Sequence, residues 1–126
     1  MPIYSNISEH QFITMLYATI ILFIVSAVLG LSILLKWLTS KHASRAVIYS
    51  HGAVAAAALI ILIIYALQNP ANYPKASIIL FVIAALGGIY MFVDDLRKKN
   101  SPLWLAFVHA LLAVGGLVTL LLFVFE

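Results

Sequence analysis

Four apolar runs decide what this chain can fold into: residues 12–35, 46–67, 76–93 and 103–125. Each is apolar all round rather than along one stripe, so a water-soluble fold cannot satisfy it by burying one face. Each is close to or above the ~20 helical residues that cross a bilayer core. A closed barrel is excluded, because barrel strands alternate polar and apolar residues. Composition agrees: 65% of residues are hydrophobic and 9% charged, whereas a soluble domain carries about 25% charged residues. The expected fold is an all-α membrane protein, a four-transmembrane-helix bundle in a lipid bilayer. The first run reads as a span and not as a cleaved leader. It has no basic leading region, it is too long, and no small-x-small site follows it.

The charges report topology. Lys36, Lys41 and Arg45 flank the first loop, and Arg97, Lys98 and Lys99 fill the third. The second loop has only Lys75, and the termini have neither Lys nor Arg. The positive-inside rule then puts the first and third loops in the cytoplasm and both termini outside, in a plasma (inner) membrane. Tyr4, Tyr65 and Tyr73 are expected near the outer interface, and Trp37 and Trp104 near the inner one. A net charge of +3 does not suggest nucleic-acid binding. The absence of cysteine excludes disulfides, thiolate metal sites and covalent haem attachment.

Shifted by 58 residues, the chain aligns with itself without a gap: residues 18–68 lie on 76–126, with 13 of 51 positions identical. "ATIILFIVSAVLG" falls on "ASIILFVIAALGG", His51 on His109, Gly30 on Gly88 and Lys41 on Lys99. Each half reads as a helical hairpin. Two hairpins of the same orientation are related by a pseudo-two-fold axis along the membrane normal, the parallel kind of repeat. The whole is one transmembrane domain, residues 1–126, and Asn69, Pro70 and Pro74 mark the joint between halves.

Such an axis would set the two imidazoles facing each other. His51 lies six residues past Arg45, about 9 Å along a helix, and His109 lies seven past Pro102. An ionisable ring at that depth is costly and points to function. One ligand shared on the axis is the simplest chemistry, and a non-covalent b-type haem takes two axial imidazoles, one on each face. The expected iron ligands are His51 and His109. Ala55 and Ala113, one turn on, and Gly30 and Gly88, on the neighbouring helices, would leave clearance for a flat ring or a close helix. Arg45, Lys41 and Lys99 would partner the propionates.

Weaker candidates remain on the surface. His10 and His42 read as solvated rings. Asp94 and Asp95 suit local pairing with Arg97 and Lys98, and Lys36 falls on Asp94 in the repeat, which suits a pair across the bundle. Two imidazoles are too few for a closed zinc or copper site. Two rival readings use the same histidines. In one they are interhelical hydrogen bonders of an accessory or assembly subunit. In the other they form the proton relay of a small transporter, although the outer half offers it little beyond Thr14, Thr19, Ser26 and Thr119.

In its four spans and in His51 and His109 placed inside them, the whole chain resembles small four-helix membrane b-type cytochromes, the cytochrome b561-like group. The resemblance implies a haem b protein that exchanges electrons with quinone or a partner subunit. Members of the group often carry four ligand histidines for two haems, and one such pair is placed here. Haem transfer, storage or sensing would use the same ligands, and homo-oligomerisation is compatible with all of these.

Overall fold

The computed structural model describes residues 2–126, with side chains from Ser8 onward. Four helices follow in order: α1 Pro2–Leu38, α2 Arg45–Gln68, α3 Lys75–Leu96 and α4 Leu103–Phe125. There is no strand among the described residues. Every helix is long and apolar enough to cross a membrane. Each turns large apolar side chains outward, Val28, Leu67, Leu86 and Leu111 among them. In water that surface would be unfavourable at roughly 25 cal/mol per Å², so lipid is its solvent and the protein is an integral membrane protein.

The last three helices match the expected runs to within three residues at each end. α1 instead begins ten residues earlier than the apolar run does. Residues 3–11 contain neither glycine nor proline, so the helix continues past the point where its hydropathy falls. At 1.5 Å per residue α1 is about 55 Å long, against a core of about 30 Å.

Helix ends show the two halves repeating each other. Ser40 and Lys98 both have φ 56°, and they are 58 positions apart. The Lys41 amide donates to the Lys36 carbonyl at 2.7 Å, and the Lys99 amide to the Asp94 carbonyl at 2.8 Å. Both bonds span five residues after a left-handed residue, which is the Schellman arrangement that satisfies a helix's last carbonyls. Ser44 caps α2 by accepting from the Val47 amide, and Asn69 ends it by donating its side-chain and backbone N–H groups to the Tyr65 carbonyl.

Packing is closest within the hairpins, α1 on α2 and α3 on α4. Between hairpins α1 lies beside α4 and α2 beside α3, so α1/α3 and α2/α4 are the diagonals. Burial repeats too. Leu62 and Leu120 are fully buried, as are Thr19 and Ser77, and Ala58 and Gly116 both lie inside. Across the α1/α3 diagonal, Phe23 and Phe81, again 58 apart, stack face to face at 3.7 Å with 6° between planes. Gly116 makes that possible, since a Cβ there would come within 2.9 Å of the Phe81 ring.

The core is concentrated toward the end of the bundle that carries the termini and residues 69–74. Tyr65, three residues before the end of α2, is buried in the core, edge-on to Phe12 at 5.9 Å and Phe123 at 6.3 Å. Trp104 is exposed, as a belt residue would be; the expectation for the Tyr4 side chain lies outside the described residues. The acidic pair belongs to a solvated charge cluster, but its partners differ from those expected. Asp95 meets Arg45 across α2/α3 at 3.4 Å, and Asp94 accepts from the Ser101 hydroxyl at 2.8 Å. Neither pairs with Arg97 or Lys98, and no Lys36–Asp94 bridge forms among the described residues. The helix stops at Leu96, so helical spacing no longer brings Arg97 and Lys98 over the carboxylates.

Candidate functional site

Near the end that carries residues 39–44 and 97–102, the α2/α4 diagonal is bridged by His51 and His109. Their ring centres are 6.1 Å apart with 78° between planes. Both rings turn into the bundle, and both are half-buried.

Each ring is held by its own hairpin in the same way. His51 Nδ1 lies 2.8 Å from the Ser26 carbonyl oxygen, and His109 Nδ1 lies 2.7 Å from that of Ala84. Each bond spans 25 residues, and Ser26 and Ala84 are equivalent in the repeat. A carbonyl only accepts, so Nδ1 must carry the proton in both rings. That leaves Nε2 with the lone pair. Neither Nε2 has a hydrogen-bond partner among the described residues, and neither is sealed off as a buried unpaired atom.

Glycines make room for the rings themselves. A Cβ on Gly30 would stand 2.8 Å from His51 Cε1, and one on Gly88 would stand 3.1 Å from His109 Cε1. Sequence reasoning gave these glycines the task of clearing space for a flat ligand or a close helix. The group they clear space for is the imidazole.

The interval between the Phe23–Phe81 stack and the imidazoles is lined by small residues. Gly30, at the level of the His51 ring, is seven residues past Phe23, which is about 10 Å of helix. Ser26 and Ala84 are buried there, and Ala55 and Ala113 are half-buried one turn from the histidines. Four of the positions identical in both halves fall on His51, Ala55, Leu59 and Leu62, with His109, Ala113, Leu117 and Leu120 as their counterparts. Spacings of four, four and three residues keep these on one face of the helix. Within α2 and α4, all of the identities fall on the face that bears the imidazole.

A separation of 6.1 Å suits an ordinary aromatic pair. It also suits a shared metal: two metal–nitrogen bonds of about 2 Å each, plus the reach from each nitrogen to its ring centre, come to roughly 6 Å. A carbonyl on Nδ1 is the usual support of a metal-bound imidazole, since it fixes the tautomer and the ring orientation. No group of three or more His, Cys, Asp or Glu side chains that could hold a bare ion occurs among the described residues. The described residues thus offer two imidazole nitrogens at this level, each on a ring oriented by a backbone carbonyl.

The other expected residues form no hydrogen bond or ion pair with the two imidazoles among the described residues. Arg45 is engaged by Asp95 and largely exposed, and Lys41 and Lys99 lie in exposed helix-end turns. His10 and His42 are exposed and apart from the pair. Two shallow grooves, one lined by Val118, Leu122 and Phe125 and the other by Ile63, Leu67 and Tyr73, lie at the opposite end of the bundle.

Sequence reasoning missed the acceptors at Ser26 and Ala84 and the Phe23–Phe81 stack. The stack had a signal, since the two phenylalanines coincide in the repeat. The acceptors had none, because every residue has a carbonyl. The chain matches no protein-family model, no characterised protein and no solved structure, so its chemistry has to be read from this imidazole pair and its supports.

Proposed function

We propose that the protein is a membrane haem-binding protein of the b-type cytochrome kind, with one non-covalent haem b between His51 and His109. The observation that carries the reading is the matched pair of tethers. Both Nδ1 atoms are held on backbone carbonyls, and both Nε2 atoms are left free on rings 6.1 Å apart. A structural histidine needs its hydrogen bond but has no need of a symmetric, unpartnered second nitrogen.

A bound haem supplies one-electron chemistry. The chain's residues hold the imidazoles in one tautomer, seat them against Gly30 and Gly88, and keep the space beside them small-sided with Ala55 and Ala113. Arg45, with Lys41 and Lys99, lies at the end where the haem carboxylates would find cations. Kinship with the cytochrome b561-like group is part of this proposal, as is electron exchange with quinone or a partner subunit. A single centre near one face cannot by itself carry an electron across a core of about 30 Å.

The test is the visible spectrum of the detergent-purified protein after haem-supplemented expression. A sharp Soret band with resolved reduced α and β bands is expected. His51→Ala and His109→Ala should each lower haem content at least tenfold, and full retention in both would remove the ligand assignment. In the same reading residues 39–44 and 97–102 face the cytoplasm of a plasma membrane. Single cysteines at Thr39 and Asn72 should then react with an impermeant thiol reagent from opposite sides.

A second reading has its own support, because each imidazole already joins the two helices of its hairpin. An accessory subunit stapled by these bonds would be colourless, and its histidine variants would lose stability with no change in colour.

A further inference from the structure

Resting on the haem reading, we infer that Ser26 is a positioning residue that makes the two axial imidazoles unequal and sets the potential of the centre through His51. The halves repeat each other at His51/His109, Gly30/Gly88 and Phe23/Phe81, but they part at Ser26/Ala84. The Ser26 hydroxyl Oγ lies 3.1 Å from His51 Nδ1 and 3.3 Å from the His51 carbonyl oxygen. Nδ1 is already donating to the Ser26 carbonyl at 2.8 Å, so Oγ meets it as an acceptor. The hydroxyl hydrogen is then free to go to the His51 carbonyl. His51 N–H therefore faces two oxygens of one residue, in a closed ring of hydrogen bonds between α1 and α2. His109 N–H faces one oxygen, and Ala84 has no hydroxyl to add. Both sites are buried, Ser26 at 4% and Ala84 at 3% exposure, so water does not level the difference.

A second acceptor on Nδ1–H pushes electron density toward Nε2 and raises the basicity of the ligand. Second-shell hydrogen bonding of this kind moves a haem potential. A more basic axial imidazole favours the ferric state.

The experiment compares wild type, Ser26→Ala, Ala84→Ser and the double swap, each purified as the haem-loaded protein. Midpoint potential and the low-temperature EPR spectrum of the ferric form are read. Ser26→Ala should keep its haem and shift the potential upward. Ala84→Ser should shift it downward. The double swap keeps one hydroxyl in the core and should return the potential close to wild type, which a general packing effect would not do. As a readout without haem, 15N-histidine NMR of the haem-free protein should show two distinct Nδ1–H environments. They should converge in either single variant and separate again in the swap.

Shifts of the same sign in both single variants, or a swap that does not restore the potential, would overturn the inference and leave the haem reading standing. A wild-type protein that takes up no haem would overturn both.

Discussion

At the scale of the residue, Gly30 and Gly88 do the same task with different tolerance. A Cβ at Gly30 would reach 2.8 Å from His51 Cε1, too close for either group to stay in place. His51 is tied to both oxygens of Ser26, so it cannot swing aside without breaking bonds in the core. A Cβ at Gly88 would reach 3.1 Å from His109 Cε1, and a shift of a few tenths of an ångström relieves it. Gly30→Ala should therefore cost about 1–3 kcal/mol, in the usual range for overpacking, and Gly88→Ala less. Gly52 and Gly87 have nothing within 4 Å of an added Cβ. Alanine there should be neutral or stabilising by up to about 1 kcal/mol, the helix-propensity gain. Unfolding in a graded denaturing detergent ranks all four. Equal losses at Gly30 and Gly52 would show that the imidazole is not seated where the structure puts it.

At the scale of the element, the ends of α1 and α3 are the place where the fold tolerates strain. Ser40 and Lys98 hold left-handed backbone, which glycine adopts without the Cβ penalty. The chain uses them because a Schellman ending needs that conformation, and both side chains are exposed. Ser40→Gly and Lys98→Gly should each stabilise the protein by about 1 kcal/mol or less. The gains should add, since the sites share no partner. Thermal unfolding of the single and double variants checks this. A loss in either would mean that its side chain makes a contact worth more than the strain. The same scale accounts for the extra length of α1. A hydropathy window sees where lipid ends, but a helix ends where its backbone meets a stop signal, and residues 3–11 hold no glycine or proline.

At the scale of the whole molecule, two dense hairpins are joined by few ties. The Phe23–Phe81 stack is central, and Arg45–Asp95 and Tyr49–Phe92 tie α2 to α3. The ion pair is exposed and worth about 0–1 kcal/mol, and ring contacts between Tyr65 and Phe123 and between Tyr17 and Phe125 also join one hairpin to the other. In an aqueous core, losing a phenylalanine ring costs about 3–5 kcal/mol. Here the cost should be nearer 1–3 kcal/mol, because burial from lipid has no hydrophobic transfer term and only packing remains. Phe23→Ala and Phe81→Ala should each show that loss, and the double variant should lose clearly less than the sum, because the two rings stack directly on each other. Strict additivity in a double-mutant cycle would mean that the hairpins are held together by something else.

The sequence by itself determined the four spans, the doubled hairpin and the equivalence of His51 with His109. These are legible because a membrane helix satisfies its own backbone and declares its environment by composition alone. The tertiary structure decided the rest: the carbonyls that hold the rings, the glycines that admit them, the stacked phenylalanines, the inward turn of Tyr65 and the partner of Arg45. Each of these depends on how far a helix is rotated about its axis and where it crosses its neighbour. A segment that is apolar on every side carries no stripe to specify that rotation. Close packing of small residues against rings specifies it instead, and it does so only once both helices of a pair are in place.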